Sequence, residues 1–255
     1  MNIWDIAILG PMINVMIVFS HYLFGSFGLA IIVLTLLIRS AMLPLTLRQL
    51  RSSKKLQDLQ GKMAELQKKY ARDQQKLAAE QMKLYREAGV NPIGCLLPML
   101  IQMPIWIALY QSIIRISGTS PDSFLSLSSY LYSWDIVYQA LPVDNMFLGM
   151  NLAYPSILLA ILVGGSMWVQ QKMTTPIAQD PSQQAQSQIM LIMMPLMFTF
   201  FSITFSSGLA LYWLASNIFS IVLQYFISGW GGLRPARNKP AAGGVIEGKK
   251  VVKKK

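Results

Sequence analysis

The chain has 255 residues, of which 53% are hydrophobic and 13% charged, with 16 methionines and a mean hydropathy of +0.43. Several uncharged apolar runs are long enough to cross a bilayer, which excludes an ordinary soluble globule. No short alternating apolar–polar segments occur, which excludes a membrane barrel. The formal charge is +11, and its placement sets the orientation. Eleven Lys/Arg against five Asp/Glu lie between Arg48 and Glu87, and eight against one lie between Arg234 and Lys255. Ser117–Ala153 holds no basic residue and three acids, Asp122, Asp135 and Asp144. Basic segments stay in the cytosol, so the two basic stretches are expected inside and the acidic loop outside. Cys95 and His21 are the only residues of their kinds, so no disulfide can form within the chain and a transition-metal site is not expected.

Residues 1–27 contain an apolar stretch, Ile6–Phe19, interrupted by Gly10, Pro11 and Asn14. Its length suits an interfacial or re-entrant helix outside the membrane better than a crossing, and it lacks the basic start and cleavage site of a signal peptide. Residues 28–47, GLAIIVLTLLIRSAMLPLTL, are the first expected span, running outside to inside, with Pro44 weakening its inner end. This span carries Arg39. In a straight helix ending at Arg48 the guanidinium lies roughly 13 Å deep, near the middle of a hydrocarbon layer about 30 Å thick. That placement costs about 2.5–3.5 kcal/mol even on the lenient insertion scale. Thr35, Arg39 and Thr46 fall on one helical face, and a polar face in a membrane helix looks toward other helices or a wet cavity.

Residues 48–92 are charged and helical in pattern. Leu56, Leu59, Met63, Leu66 and Tyr70 form an apolar seam, Asp73 is the expected N-cap of a second helix, and Gly89 its stop. The expectation is a cytosolic helical hairpin, either packing on itself as a connector or serving as a docking arm. Residues 93–116 form the second span, with Gln102, Pro98 and Pro104 inside it and Arg115 near its outer end. Residues 117–153 form an outer loop rich in aromatics suited to an interfacial belt: Tyr130, Tyr132, Trp134, Tyr138 and Phe147. Residues 154–173 are the third span, 174–187 a cytosolic loop, 188–206 the fourth span and 209–230 the fifth. Residues 231–255 are a basic, disordered cytosolic tail. The expected topology is thus five spans, with the N-terminus outside and the C-terminus in the cytosol.

The last span has a polar stripe of Trp213, Ser216, Asn217, Ser220 and Gln224, and the fourth adds Thr199, Ser202 and Ser206. Hydroxyls alone are ordinary interhelical glue. No span carries an acidic partner for Arg39, and this makes a shared wet cavity the better reading. Met190, Met193, Met194 and Met197 give the fourth span an adaptable apolar face. No nucleophile–base pair, metal cluster or phosphate-binding loop is present, so neither covalent catalysis nor a cofactor is expected.

The blocks LTLLIRSAMLPLT, AELQKKYARDQQKLAAEQMKLYREAGVNP, LLPMLIQMPIWIALYQS and SSGLALYWLASNIFSIVLQ closely resemble the YidC/Oxa membrane protein insertases, in that family's order. The resemblance implies an all-α polytopic membrane protein of the bacterial plasma membrane, with five transmembrane helices around a hydrophilic groove open to cytosol and lipid. It implies an insertase and chaperone that works without nucleotide hydrolysis. Arg39 matches the groove arginine, Thr35 a groove-lining polar position, and Trp213, beside Tyr212, an aromatic one. With the polar stripes, the expected substrate-binding groove comprises Arg39, Thr35, Thr46, Gln102, Thr199, Ser202, Tyr212, Trp213, Ser216 and Asn217. The partners implied are nascent membrane proteins, the ribosome through the basic tail and hairpin, and anionic lipids, with no sequence-specific nucleic acid. Action alone or beside a Sec translocon both stay open. The chain departs from the long Gram-negative forms in having no large extracytoplasmic domain ahead of its first span, which implies a short form. It also departs from many Gram-positive forms in lacking an N-terminal lipobox cysteine, and its Cys95 lies one place before the family's usual position. Two other classes remain as alternatives: a small-anion transporter using Arg39, and a non-inserting scaffold for membrane-complex assembly.

Overall fold

The computed structural model describes residues 2–89, 97–118, 121–175, 181–230 and 233. Cys95, Pro92, residues 176–180 and the basic tail, apart from Leu233, lie outside them. Among the described residues the chain is almost wholly helical: α1 Asp5–Tyr22, α2 Phe27–Ala41, α3 Leu43–Asp58, α4 Gln60–Lys69, α5 Gln74–Glu87, α6 Leu97–Ser117, α7 Pro121–Ser128, α8 Asp135–Gln139, α9 Ile157–Thr174, α10 Pro181–Thr204 and α11 Ser207–Ser228. One small antiparallel pair, β1 (Met146–Phe147) and β2 (Met150–Asn151), lies between α8 and α9.

Gly10, Pro11 and Asn14 do not interrupt α1. Its first turn, Asp5–Leu9, is π-helical, and the Gly10 N–H bonds the Asp5 carbonyl. That wider turn sits where Pro11 brings a ring and no donor, so the break is absorbed without ending the helix. By length and apolarity α1 could cross a membrane, but its contacts hold it at the loop end of the bundle. The Trp4 indole donates to Gln111 Oε1 at 3.0 Å, six residues from the end of α6. At the other end of α1, Ser26 bridges to Asp144 and the Phe27 N–H reaches the Asp144 carbonyl at 3.2 Å. Between these anchors Asn14, wholly buried, donates to the carbonyls of Gly10 (2.7 Å) and Tyr130 (2.8 Å) and accepts from the Tyr132 N–H (2.8 Å). Tyr130 and Phe147 pack on the core, whereas Trp134 and Tyr138 stay half exposed.

The expected span over 28–47 is broken toward its inner end, the end that Pro44 is expected to weaken. α2 ends at Ala41, Met42 caps it, and α3 leaves at 64° to it. Pro44 lacks the N–H that would extend α2, and its ring disfavours a helical residue before it, so the chain turns two residues ahead of the proline. Thr46 then restarts the ladder, its N–H and hydroxyl both reaching the Met42 carbonyl at 3.0 and 3.1 Å. Arg39 therefore lies in the last turn of α2, three residues from the elbow rather than in mid-helix. The hairpin seam is similarly divided at Leu59 between α3 and α4. Asp73 caps α5 by accepting from the Lys76 N–H at 3.0 Å, and Gly89 takes a φ of 63° where the helix stops.

α10 packs on α9, α9 on α11, and α11 on α2, with α1 against α2 and α6. The core fills the loop end. Leu9, Ile13, Met16, Ile17, Phe27, Ile31, Leu109, Ile113 and Leu209 are all fully buried there. Two glycines permit this density. A Cβ on Gly28 would lie 2.3 Å from the Phe147 ring, and one on Gly208 would lie 2.8 Å from Ile113 Cγ2.

Replacing Asn14 by leucine keeps the volume but leaves the Tyr132 N–H and Tyr130 carbonyl unpaired, at a cost of about 1–3 kcal/mol. The expected result is a lower melting temperature in detergent together with faster proteolysis within residues 117–153. An unchanged melting temperature would remove Asn14 from its role as the pin between α1 and the loop.

Candidate functional site

Arg39 is half-buried, and among the described residues its guanidinium makes no hydrogen bond or ion pair; the one salt bridge there is Lys76–Asp73 in the hairpin. An arginine cannot escape a poor environment by losing its proton. Two connected spaces surround it instead.

The first, about 350 Å³, is an aromatic chamber. α6 contributes Gln102, Met103 and Trp106, α10 contributes Phe198 and Phe201, and α11 contributes Tyr212, Trp213, Ser216 and Asn217. Trp106 stacks on Trp213 with centroids 6.2 Å apart, and Phe198 meets Trp213 edge-on at 5.0 Å. Such pairs hold their rings in fixed relation. The Gln102 amide donates to the Tyr212 hydroxyl at 2.6 Å, and Asn217 donates to Ser166 Oγ on α9 at 3.1 Å.

The second space, about 390 Å³, lies toward the hairpin and mixes uncharged polar groups with the apolar Met42 and Leu50. Thr46, Gln49 and Ser53 come from α3, Thr174 from α9, and Ser220 and Gln224 from α11. Arg39, Gln102 and Gln170 line both spaces and form the neck between them. Toward the loop end the chamber stops at the packed core of Ile31, Ile113 and Leu209. On its lipid side α6 and α10 flank it with exposed apolar side chains, Met103 on one and Met193, Met197 and Phe200 on the other.

Of the ten residues expected to line a groove, Arg39, Thr46, Gln102, Tyr212, Trp213, Ser216 and Asn217 border this paired space. Thr35, Thr199 and Ser202 do not. Thr35 and Ser202 are fully buried, and their hydroxyls donate to the carbonyls of Ile31 (2.6 Å) and Phe198 (2.8 Å) in their own helices. Thr199 donates to Pro195 at 2.8 Å and seats against Gly164, where an added Cβ would lie 2.0 Å from its Oγ1. The hydroxyls of Thr35 and Ser202 are spent within their own helices, and Thr199 packs α10 on α9. Gln170 and Trp106 were missed in the sequence. Trp106 stands four residues after Gln102, one helical turn along the same face, and that spacing was the available signal. The bordering residues hold no cluster of metal ligands; among the described residues no group of His, Cys, Asp and Glu could hold an ion.

The sequence comparisons agree with this architecture. Residues 19–231 match the family described as 60Kd inner membrane protein. The chain is 38% identical to membrane protein insertase YidC 1 of Halalkalibacterium halodurans, over 89% of this chain and 80% of that one. It is 36% identical to membrane protein insertase YidC of Pelobacter propionicus, covering 88% of this chain but 39% of that longer one. A crystal structure of an active YidC insertase with its first transmembrane domain resolved superposes with a TM-score of 0.53 at 26% identity, over 78% of this chain and 41% of that one. With a family match over most of its length, and a relative of similar size that it largely spans, the chain belongs to the YidC family of 60Kd inner membrane proteins.

Proposed function

We propose that this chain inserts nascent membrane proteins into the bacterial plasma membrane, without nucleotide hydrolysis, by passing a polar substrate segment through the space around Arg39 and releasing the apolar segment sideways. The observation that carries this reading is the unpaired guanidinium at the neck between a polar vestibule and an aromatic chamber. A polar segment that enters the vestibule has only the packed half of the bundle left to pass, so the apolar distance is shortened. Acidic or carbonyl groups of the substrate take the place of an acidic partner on Arg39, with charge-assisted bonds. The exposed methionines and Phe200 flanking the chamber offer the apolar segment adaptable contact on its way into lipid. Of the other expected groove residues, Thr199 on this reading holds α10 to α9, while Thr35 and Ser202 sit sealed in the walls.

The charge map supports an N-terminus outside, with α1 at the outer interface, and a cytosolic C-terminus. The hairpin and the basic tail then face the ribosome and anionic lipid headgroups, and a Sec translocon is a further candidate neighbour. The dense core closing the loop end argues against a small-anion transporter, which would need an exit there.

Three outcomes are expected. In proteoliposomes, Arg39→Ala lowers insertion of a single-span substrate with an acidic N-tail by about tenfold, the worth of one charge-assisted bond, while Arg39→Lys retains most of it and neither variant conducts anions. Insertion by Arg39→Ala at the wild-type rate would overturn the role given to this residue. In a Cys95→Ser background, Arg39→Cys and Thr46→Cys react with a membrane-impermeant maleimide added from the hairpin side. Thr35→Cys, by contrast, stays unreactive because that side chain is sealed. Gly164→Val, which drives a side chain into Thr199, lowers the melting temperature in detergent through overpacking of about 1–3 kcal/mol, and Thr199→Ala restores part of the loss.

A further inference from the structure

The neck holds a cation to which the described residues bring no anionic partner. The Arg39 guanidinium offers five N–H groups and, among the described residues, makes no hydrogen bond or ion pair. The Trp106 indole N–H, in the wall of the same chamber, also lacks an acceptor but is sealed from the space. The unpaired guanidinium alone is complementary to an anionic oxygen. The chain brings none, because no Asp or Glu borders either space.

The surroundings narrow the source of that oxygen. Arg39 lies three residues before the elbow at Met42, about 4.5 Å along the helix axis. From there to the hairpin the vestibule carries a row of uncharged polar side chains, Thr46, Gln49, Ser53 and Gln224, with Met42 and Leu50 beside them. A headgroup can therefore descend to the neck along polar groups. Beside the neck, Met103 on α6 and Met193, Met197 and Phe200 on α10 present apolar side chains outward, Phe200 being 64% exposed. The two surfaces together fit an amphipathic occupant with an anionic oxygen at one end and hydrocarbon attached to it.

We infer that, before a substrate arrives, Arg39 is neutralised by the phosphodiester of a glycerophospholipid whose acyl chains lie along α6 and α10. The lipid satisfies the guanidinium with charge-assisted bonds. An incoming acidic segment then competes with a resident phosphate rather than filling a vacancy. The competition step rests on the insertase reading, whereas the lipid site stands on the neck's geometry.

The test is native mass spectrometry of the full chain in detergent, titrated with dioleoylphosphatidylcholine. This lipid has the phosphodiester but no net charge to draw it to the basic tail. One lipid is expected to be retained per chain. Retention is expected to fall about tenfold in Arg39→Ala and to fall less in Arg39→Lys, and to stay at the wild-type level in Trp106→Phe, whose lost N–H is sealed from the chamber. Dioleoylglycerol, with the same chains and no phosphate, is expected to bind the wild type no better than it binds Arg39→Ala. Equal phosphatidylcholine retention by wild type and Arg39→Ala would overturn the inference, as would equal retention of dioleoylglycerol. Displacement of the lipid by millimolar inorganic phosphate would also overturn it, in favour of a small-anion site. Insertion measured on the same variants separates the two readings. Arg39→Ala that loses insertion but keeps its lipid sinks only the lipid site. Arg39→Ala that loses its lipid but inserts normally sinks only the role of Arg39 in insertion.

Discussion

A guanidinium that has no carboxylate to meet it and cannot give up its proton sets a condition on every helix around it. Something polar must reach it at all times, so the helices facing Arg39 cannot close into an ordinary apolar core. α11 answers with Tyr212, Ser216, Ser220 and Gln224, α6 with Gln102, and α9 with Gln170, all bordering the two spaces. No acid appears among them. A carboxylate there would have formed a buried pair, stabilising the charge and removing its availability to anything else. Leaving the charge unmet costs stability and keeps the guanidinium free of any fixed partner.

The cost is met at the other end of the molecule. The loop end is packed as a soluble core would be, with glycines at 28 and 208 letting backbones approach within a side chain's width. Asn14 is buried there, yet each of its polar atoms is used. The bundle is thus asymmetric along its length: dense and hydrogen-bonded where α1, the loop and the starts of α2 and α11 meet, open and polar where α2 ends. The aromatic stack of Trp106 and Trp213 marks the boundary. Rigid rings suit that position because a loose side chain there would fall into the chamber.

Much of this was readable before the coordinates. An arginine in an apolar run, a polar stripe at helical spacing in the last span, and the absence of any acid to pair with Arg39 point together to a wet site, and six of the residues read that way border the aromatic chamber. The failures have physical reasons. Thr35, Thr199 and Ser202 look like lining residues because a hydroxyl in a helix can face water or bond the carbonyl one turn back with equal ease. Which one it does depends on what packs above it, such as Gly164 over Thr199. Gln170 escaped notice because α9 carries no stripe; one glutamine near a helix end reads as an interfacial residue until its neighbours are known. The elbow at Met42 was foreshadowed by Pro44, but its size depends on where α3 finds support, and that is a tertiary property.

The elbow also joins parts that would otherwise be independent. α2 is fixed in the dense end through Phe27, Ala30 and Ile31, whereas α3 runs outward at 64° into the hairpin. Only Met42 separates them. α3 is therefore a crank whose shaft is anchored and whose arm is long: sixteen residues, or about 24 Å. Thr46, Gln49 and Ser53 on that arm form the vestibule wall beneath Arg39, so the angle at Met42 sets the room left below the guanidinium. One joint fixes the width of the entrance and the end of the charged helix together.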